Sequence, residues 1–374
     1  MGYAYTPGLI IAENTIVRKV RGLPLKGQVL VGIGQRVRAE EVVAEAKLPG
    51  DVRPVNVASE LGIVPEELPG VLLKNEGDPV AKDEPFARTR GLFGLFKSEC
   101  RAPIEGTIES VSAVTGQVII RARPKLLRKL AYVAGTIVDV REGVSATVEA
   151  PATLVQGIFG LAGEAVGALE LAVESPDAVL DADRISPEHA GKVIVGGSLV
   201  TADAIKAAVA HGVRGIVSGG LNDADVRATL GYELGVAITG EESLGVTVII
   251  TEGFGKIGMA RATFELLRKH SGRLASVNGT TQIRAGVIRP EIIIPLDDVP
   301  QTQVRGDQGG GVLEVGTRLR AIREPYFGRL GRCVAVPAEL ETLATEARVR
   351  VLEVEFDDGE RAILPRANVE LIKA

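Results

Sequence analysis

A pattern of glycine, valine and glutamate recurs in this chain at an offset of 43 residues, and it confines the first part of the molecule to short β-strands. The first copy runs Gly27-Gln28-Val29-Leu30, then Gly34, Val37, Glu41 and Val43-Ala44. The second runs Gly70-Val71-Leu72-Leu73, then Gly77, Val80, Glu84 and Phe86-Ala87. In each, an apolar run passes through a Gly-x-x-Val turn into another apolar run, the pattern of two strands and a tight connection. A partial third echo occupies residues 103–108 and 116–120. A solenoid needs about three units to bury its core, so two copies predict two interlocked halves of one compact barrel.

The alternation G-x-V-L-x-x-x-G-x-x-V-x-x-x-x-V-x-A, closed by A-P-I-E-G-T-I at residues 102–108, resembles the barrel-sandwich hybrid of biotinyl and lipoyl carrier domains and their non-carrier relatives. The resemblance covers about a third of the chain and implies a fold rather than a reaction. Carriers bear their cofactor on a lysine within Met-Lys-Met or Asp-Lys-Ala. The nearest candidate here, Ala46-Lys47-Leu48-Pro49, departs from both patterns, so no attached cofactor is expected.

Residues 131–150 alternate again and predict a hairpin leading out of this region. Pro151 and the glycine-rich residues 156–167 mark a boundary, giving a β-rich module over 1–150 and a second module over 151–305. There the rhythm becomes strand, helix, strand. Lys192-Val193-Ile194-Val195 reads as a buried strand, and residues 202–210 as a helix opened by Thr201 as N-cap. Residues 213–217, 236–238 and 246–250 read as further strands, and 223–234 and 259–269 as further helices. Short apolar strands alternating with helices predict a parallel sheet with right-handed crossovers. The expected fold class is therefore multi-domain α/β plus all-β, with a central parallel, Rossmann-like domain.

A run of glycines at 309–311 predicts a linker into a third module over 318–374. Asp357-Asp358-Gly359 between alternating apolar runs is a strong hairpin signal. Together with Gly328-Arg329-Leu330-Gly331-Arg332-Cys333-Val334, which lies near a G-x-x-G-x-V pattern, this tail resembles an SH3-like barrel of the KOW type, which implies a docking or RNA-associated module. The tail carries ten Lys or Arg against ten Asp or Glu, a balance that lacks the basic footprint of an RNA-binding surface.

In an open α/β sheet, ligands lie outside the carboxyl ends of the strands. Three predicted loops there are rich in glycine: Gly196-Gly197-Ser198, Ser218-Gly219-Gly220, and Thr251-Glu252-Gly253 continuing to Gly255. Exposed amides at such turns would favour a phosphate or carboxylate, so a small anionic ligand is one expectation. Close helix–strand packing is the competing explanation for the same glycines. No Gly-x-Gly-x-x-Gly and no Gly-x-x-x-x-Gly-Lys-Ser/Thr accompanies them. Arg284 and Arg289 are placed to clamp an anion, or to pair with Glu252 or Glu291 as structural ions. The adjacent Glu241 and Glu242 fit a solvated loop better than an acid–base pair. Leu92-Phe93-Gly94-Leu95-Phe96 is an apolar run that reads as packed or as a partner contact.

No catalytic constellation is visible, and His211 and His270 sit at helix ends where a capping or cationic role suffices. Cys100 and Cys333 are far apart with no metal-ligand spacing, so no metal is expected. Scarce cysteine and residues 1–7, which lack the parts of a secretory signal, predict a cytoplasmic protein. No stretch predicts a membrane span. The net charge of −5, mixed along the chain, and aromatic content of 3% argue against a nucleic-acid partner. The expectation is a non-catalytic scaffold that associates with itself or a protein partner. An enzyme or ligand-binding protein using the glycine-rich loops, and an RNA-associated factor, are the alternatives.

Overall fold

A computed structural model describes residues 9–89, 98–222, 244–281, 288–297, 313–321, 325–326, 328–337, 340–342 and 348–371. The predicted helix at 223–234, the strand at 236–238, Glu241 and Glu242, the apolar run at 92–96, Arg284 and the glycines at 309–311 lie outside them.

The 43-residue repeat is a repeat of hydrogen bonds. Leu30 N–H donates to Val43 O at 2.9 Å, and Leu73 N–H to Phe86 O at 2.8 Å. Gly34 and Gly77 both take a positive φ, 83° and 89°, a conformation glycine adopts without a Cβ penalty. Each glycine N–H then donates across the turn, to Ile137 O and to Ile108 O, both at 2.8 Å. The repeated glutamates cap their own turns: Glu41 accepts from Arg38 N–H at 3.3 Å and Glu84 from Ala81 N–H at 2.8 Å.

The two copies do not share a barrel. Val37 and Val43 pack with Val31, Ile137 and Val148 in one core. Val80 and Phe86 pack with Leu68, Ile108 and Ile120 in another. The strand Val42–Leu48 pairs antiparallel with Lys125–Leu130, starting from Leu48 opposite Lys125. Residues 49–124, which contain the second copy, are thus an excursion from the tip of a hairpin begun by the first. Local sequence specified each turn, but the choice between one shared core and two was made by this non-local pairing.

The largest sheet has thirteen strands and runs from the N-terminal region into the centre of the chain. Its spine is Ser145–Gln156, which pairs with Ile11–Gly22 on one side. On the other it pairs first with Gly135–Arg141, then with Glu291–Pro295. Pro151 lies between those two partners, where its carbonyl still accepts from Leu296 N–H at 2.9 Å and its missing N–H costs no ladder bond. The boundary expected at Pro151 therefore falls inside an unbroken strand.

The central parallel, Rossmann-like domain is corrected by this topology. Among the described strands, only Glu164–Leu171, Val193–Val195, Gly215–Leu221 and Thr247–Phe254, with the short pair Val179–Leu180 and Leu199–Val200, lie in parallel register. Glu164–Leu171 then meets Leu274–Asn278 antiparallel, and the sheet continues antiparallel to its far edge. Among the described residues there are four α-helices, none longer than nine residues, and the chain is predominantly strand. The connection from Leu171 to Val193 holds no α-helix, only the short strand Val179–Leu180 and the 3-10 turns Ala182–Arg184 and Pro187–His189. Alternation of apolar runs reports strands and helices locally; it carries no information on which strand lies beside which. No helix among the described residues is long and apolar enough to cross a membrane.

Helix Ala202–Ala210 begins where Thr201 accepts from Ala204 N–H at 3.1 Å. Helix Arg261–Lys269 presents Phe264 and Leu267 to the core around Ile216, Ile249 and Val277. The C-terminal strands Arg318–Ala321, Leu330–Ala335, Leu340–Thr342, Arg348–Phe356, Arg361–Pro365 and Val369–Leu371 form a separate six-stranded antiparallel sheet with its own core. Its Asp357-Asp358-Gly359 turn closes with Gly359 at φ 86°.

Candidate functional site

The glycine-rich segments do come together, but as packed backbone. Gly215–Leu221 and Thr247–Phe254 keep pairing as far as Leu221 opposite Phe254, so Ser218-Gly219-Gly220 and Thr251-Glu252-Gly253 are strand rather than loop. Four of the amides that would cradle an anion already have acceptors. Gly196 N–H donates to Val217 O and Gly219 N–H to Gly197 O, both at 2.7 Å. Ser198 N–H donates to Ala178 O at 2.8 Å and Gly255 N–H to Leu221 O at 2.9 Å. The hydroxyls point inward too: Ser198 donates to Asp177 O at 2.8 Å, Ser218 to Gly197 O at 3.3 Å, and Thr251 to Ser218 O at 3.4 Å. A Cβ at Gly197, Gly219 or Gly220 would run into the carbonyls of Ala178, Ile257 or Gly255. These glycines exist for close backbone approach.

The edge of this region is covered by the C-terminal sheet. At Gly253 a Cβ would lie 2.7 Å from Gly328 O, and at Gly328 one would lie 3.0 Å from the Phe254 ring. Between the two bodies sits a buried charge network. Arg320, whose side chain is 2% exposed, reaches Glu370 at 3.2 Å and Glu252 at 3.1 Å. It also donates to Thr251 O at 3.2 Å. Arg289 closes the chain on the other oxygen of Glu370 at 2.6 Å. Glu252 has a second duty, accepting from Ala260 N–H at 3.0 Å beside helix Arg261–Lys269.

Of the predicted site residues, Thr251, Glu252 and Arg289 therefore converge, and Arg320 and Glu370 are their partners. Two positive and two negative side chains balance, so the arrangement needs no external ion. Burial lowers the Arg320 pKa, against the opposing pull of Glu370 and Glu252. Its Nε is buried with no hydrogen-bond partner.

A second buried polar cluster joins the N-terminal strands to the large sheet. Arg21, 5% exposed, forms a two-pronged bond to Glu164 at 2.7 and 2.6 Å and donates through Nε to Leu130 O at 2.7 Å. Its guanidinium lies 5.3 Å from the centre of the Tyr132 ring. Tyr132 is buried and holds a left-handed backbone, φ 70°, which is strained for a bulky side chain. Its N–H donates to Ala39 O at 2.8 Å and its carbonyl accepts from the Ser276 hydroxyl, which hold it there. Burial, with Glu291 and Glu164 nearby, pushes the phenol well above its ordinary range.

His270 is the C-cap residue of helix Arg261–Lys269, the helix-end position expected of it, but its side chain is buried. The Thr153 hydroxyl spends its one proton on Glu13 O at 2.6 Å, so at 3.0 Å it accepts from His270 Nε2, which carries the hydrogen. Burial lowers the His270 pKa, helped by Arg273 and Lys269 and opposed by Glu13. Cys100 is also unsuited to nucleophilic work, since burial and a hydrogen bond to Glu60 at 2.8 Å push its thiol up to about 12. Among the described residues no group of three or more His, Cys, Asp or Glu could hold a metal ion.

Sequence reasoning missed Arg320, Glu370, Arg21 and Tyr132. A buried arginine in a strand is spelled like an exposed one; only its non-local partners mark it. No known family model matches this chain, and no curated protein matches it.

Proposed function

We propose that this chain is a non-catalytic assembly protein of the cytoplasm, whose modules are held in one arrangement and whose outer β surfaces pair with further copies of itself. The observation that carries this reading is the occupancy of the strand ends. Where an anionic ligand was expected, Arg320 and Glu370 of the C-terminal sheet satisfy Glu252 and Arg289. The resemblance of the C-terminal region to a docking module agrees with it.

The outward surface supports self-association. Ile11–Gly22, twelve residues long, pairs only with Ser145–Gln156 among the described strands and leaves Ile11 41% and Val20 66% exposed. A strand unpaired along one edge is a template for another strand. Among the described residues, fourteen of the nineteen exposed large apolar side chains precede residue 150, a distribution that favours a contact surface in the N-terminal region. The buried free thiols of Cys100 and Cys333 suit a reducing compartment.

Light scattering coupled to size exclusion tests this on the full chain at micromolar concentration. The expected mass is a multiple of 39.3 kDa, and Val20→Lys on the free edge should shift it toward one copy. A monodisperse single copy at every concentration would sink the proposal.

A further inference from the structure

We propose that a cleft of about 490 Å³ beyond the carboxyl end of the Glu164–Leu171 strand binds a small molecule bearing a carboxylate or phosphate, anchored on Arg184. This site is distinct from the glycine-rich segments and independent of the assembly reading.

The topology opens the cleft. Glu164–Leu171 pairs parallel with Val193–Val195 on one side and antiparallel with Leu274–Asn278 on the other. The connection leaving Leu171 heads toward the first neighbour, while helix Arg261–Lys269 delivers the chain to the second. Two connections parting at the carboxyl end of a strand leave a crevice between them, the place where sheets with parallel strands receive ligands. The volume is that of a small-molecule site.

The walls are preorganised. On one, the Arg268 guanidinium donates to Glu174 O at 2.7 Å, meets the Glu265 carboxylate at 3.1 Å and lies 5.0 Å from the Phe264 ring centre. On the other, Arg184 ends the 3-10 turn Ala182–Arg184. Asp181 pins that turn by accepting from Ala182 N–H at 2.8 Å and from the Thr201 hydroxyl at 2.9 Å. Ile185, 5% exposed, roots the next residue in the core.

The Arg184 guanidinium itself makes no hydrogen bond or ion pair among the described residues. It is an exposed donor fork without an acceptor, carried on a pinned backbone and lining a cleft whose other cation is already partly neutralised. A planar fork of this kind matches a carboxylate or phosphate. Leu171, Ala172 and Val173 supply a partly apolar lining for the body of the ligand. The Glu174 carboxylate, exposed and without an ion pair among the described residues, suits an ammonium or hydroxyl on it.

Thermal-shift titration of the full chain with inorganic phosphate in one arm and glutamate in the other tests the site. One probe should raise the melting temperature saturably above a sodium chloride control of equal ionic strength, and which one it is identifies the anion. Arg184→Ala, a surface change that should leave the unliganded melting temperature in place, should weaken that probe at least about tenfold. Arg184→Lys, which keeps the charge but loses the fork, should fall between. Two flat arms, or binding to Arg184→Ala equal to that of the parent, would overturn the assignment.

Discussion

Arg320 and Arg21 are both buried arginines that fasten one part of the molecule to another, yet they are solvated in opposite ways. At the C-terminal junction both Arg320 and Glu370 have side chains 2% exposed, and Arg320 keeps one N–H unsatisfied. At the N-terminal junction the guanidinium of Arg21 is bonded at Nε and at both terminal nitrogens, while Glu164 remains 32% exposed. Desolvating two charges costs several kcal/mol each, which their attraction only just repays, whereas a carboxylate that keeps water pays far less. The C-terminal junction is thus specific before it is strong: sliding the sheet would strand charges away from water. The N-terminal junction is strong because little was given up to form it.

The sharpest way to break this contrast is Glu370→Gln. It leaves Arg289 and Arg320 sharing a dry site without their common carboxylate, and should cost about 3–5 kcal/mol in urea unfolding. Replacing Arg289, Arg320 and Glu370 together by Leu, Met and Leu, with Glu252→Gln so that no charge is stranded and Ala260 N–H keeps its acceptor, should recover most of that loss, because apolar groups of similar volume carry no desolvation cost. A single substitution as mild as a surface change would show that water reaches the network.

Arg21→Met should cost less, about 1–3 kcal/mol, since the partner it abandons can turn to solvent. If it proved more damaging than Glu370→Gln, the ranking of the two junctions would be reversed. The loss should include the support of Tyr132, whose strained backbone persists only while its surroundings hold it.

The smallest effect is a pH dependence at the edge of the N-terminal junction. His270 has a folded pKa below its ordinary 6.5. Above that value folded and unfolded chains are both neutral there, so its contribution is complete. As pH falls below about 6.5 the unfolded chain takes up the proton first, and stability declines until the folded pKa is reached. Unfolding of the parent and of His270→Asn compared between pH 7 and pH 5 should show a shallower decline in the variant. Parallel curves would show that His270 stays solvated.

Much of the local structure was legible from residue chemistry. Gly34 and Gly77 stand where φ must be positive, Glu41 and Glu84 where a turn N–H needs an acceptor, Thr201 where a helix begins, and Gly359 where a hairpin turns. The candidate site was only half legible. Thr251, Glu252 and Arg289 were singled out for an anion, and they do converge, but on Arg320 and Glu370 rather than on a ligand. Glycines at strand ends are equally consistent with exposed amides and with sealed ones. Which of the two obtains depends on whether another backbone fills the space, as Gly255 does against Gly220.

The sequence alone determined the turns, the caps, the strand periodicity and the twofold recurrence of one hydrogen-bonded unit, because each depends on φ, a short-range donor or a side-chain alternation within a few residues. Tertiary structure decided that the two repeats have separate cores and that the strand through Pro151 joins regions the sequence divides. It also decided that Glu164–Leu171 has an antiparallel neighbour, and that a remote arginine closes the glycine-rich edge. Those outcomes rest on pairing and desolvation between residues as far apart as Glu252 and Arg320. Their energies exist only once the chain has brought them together out of water.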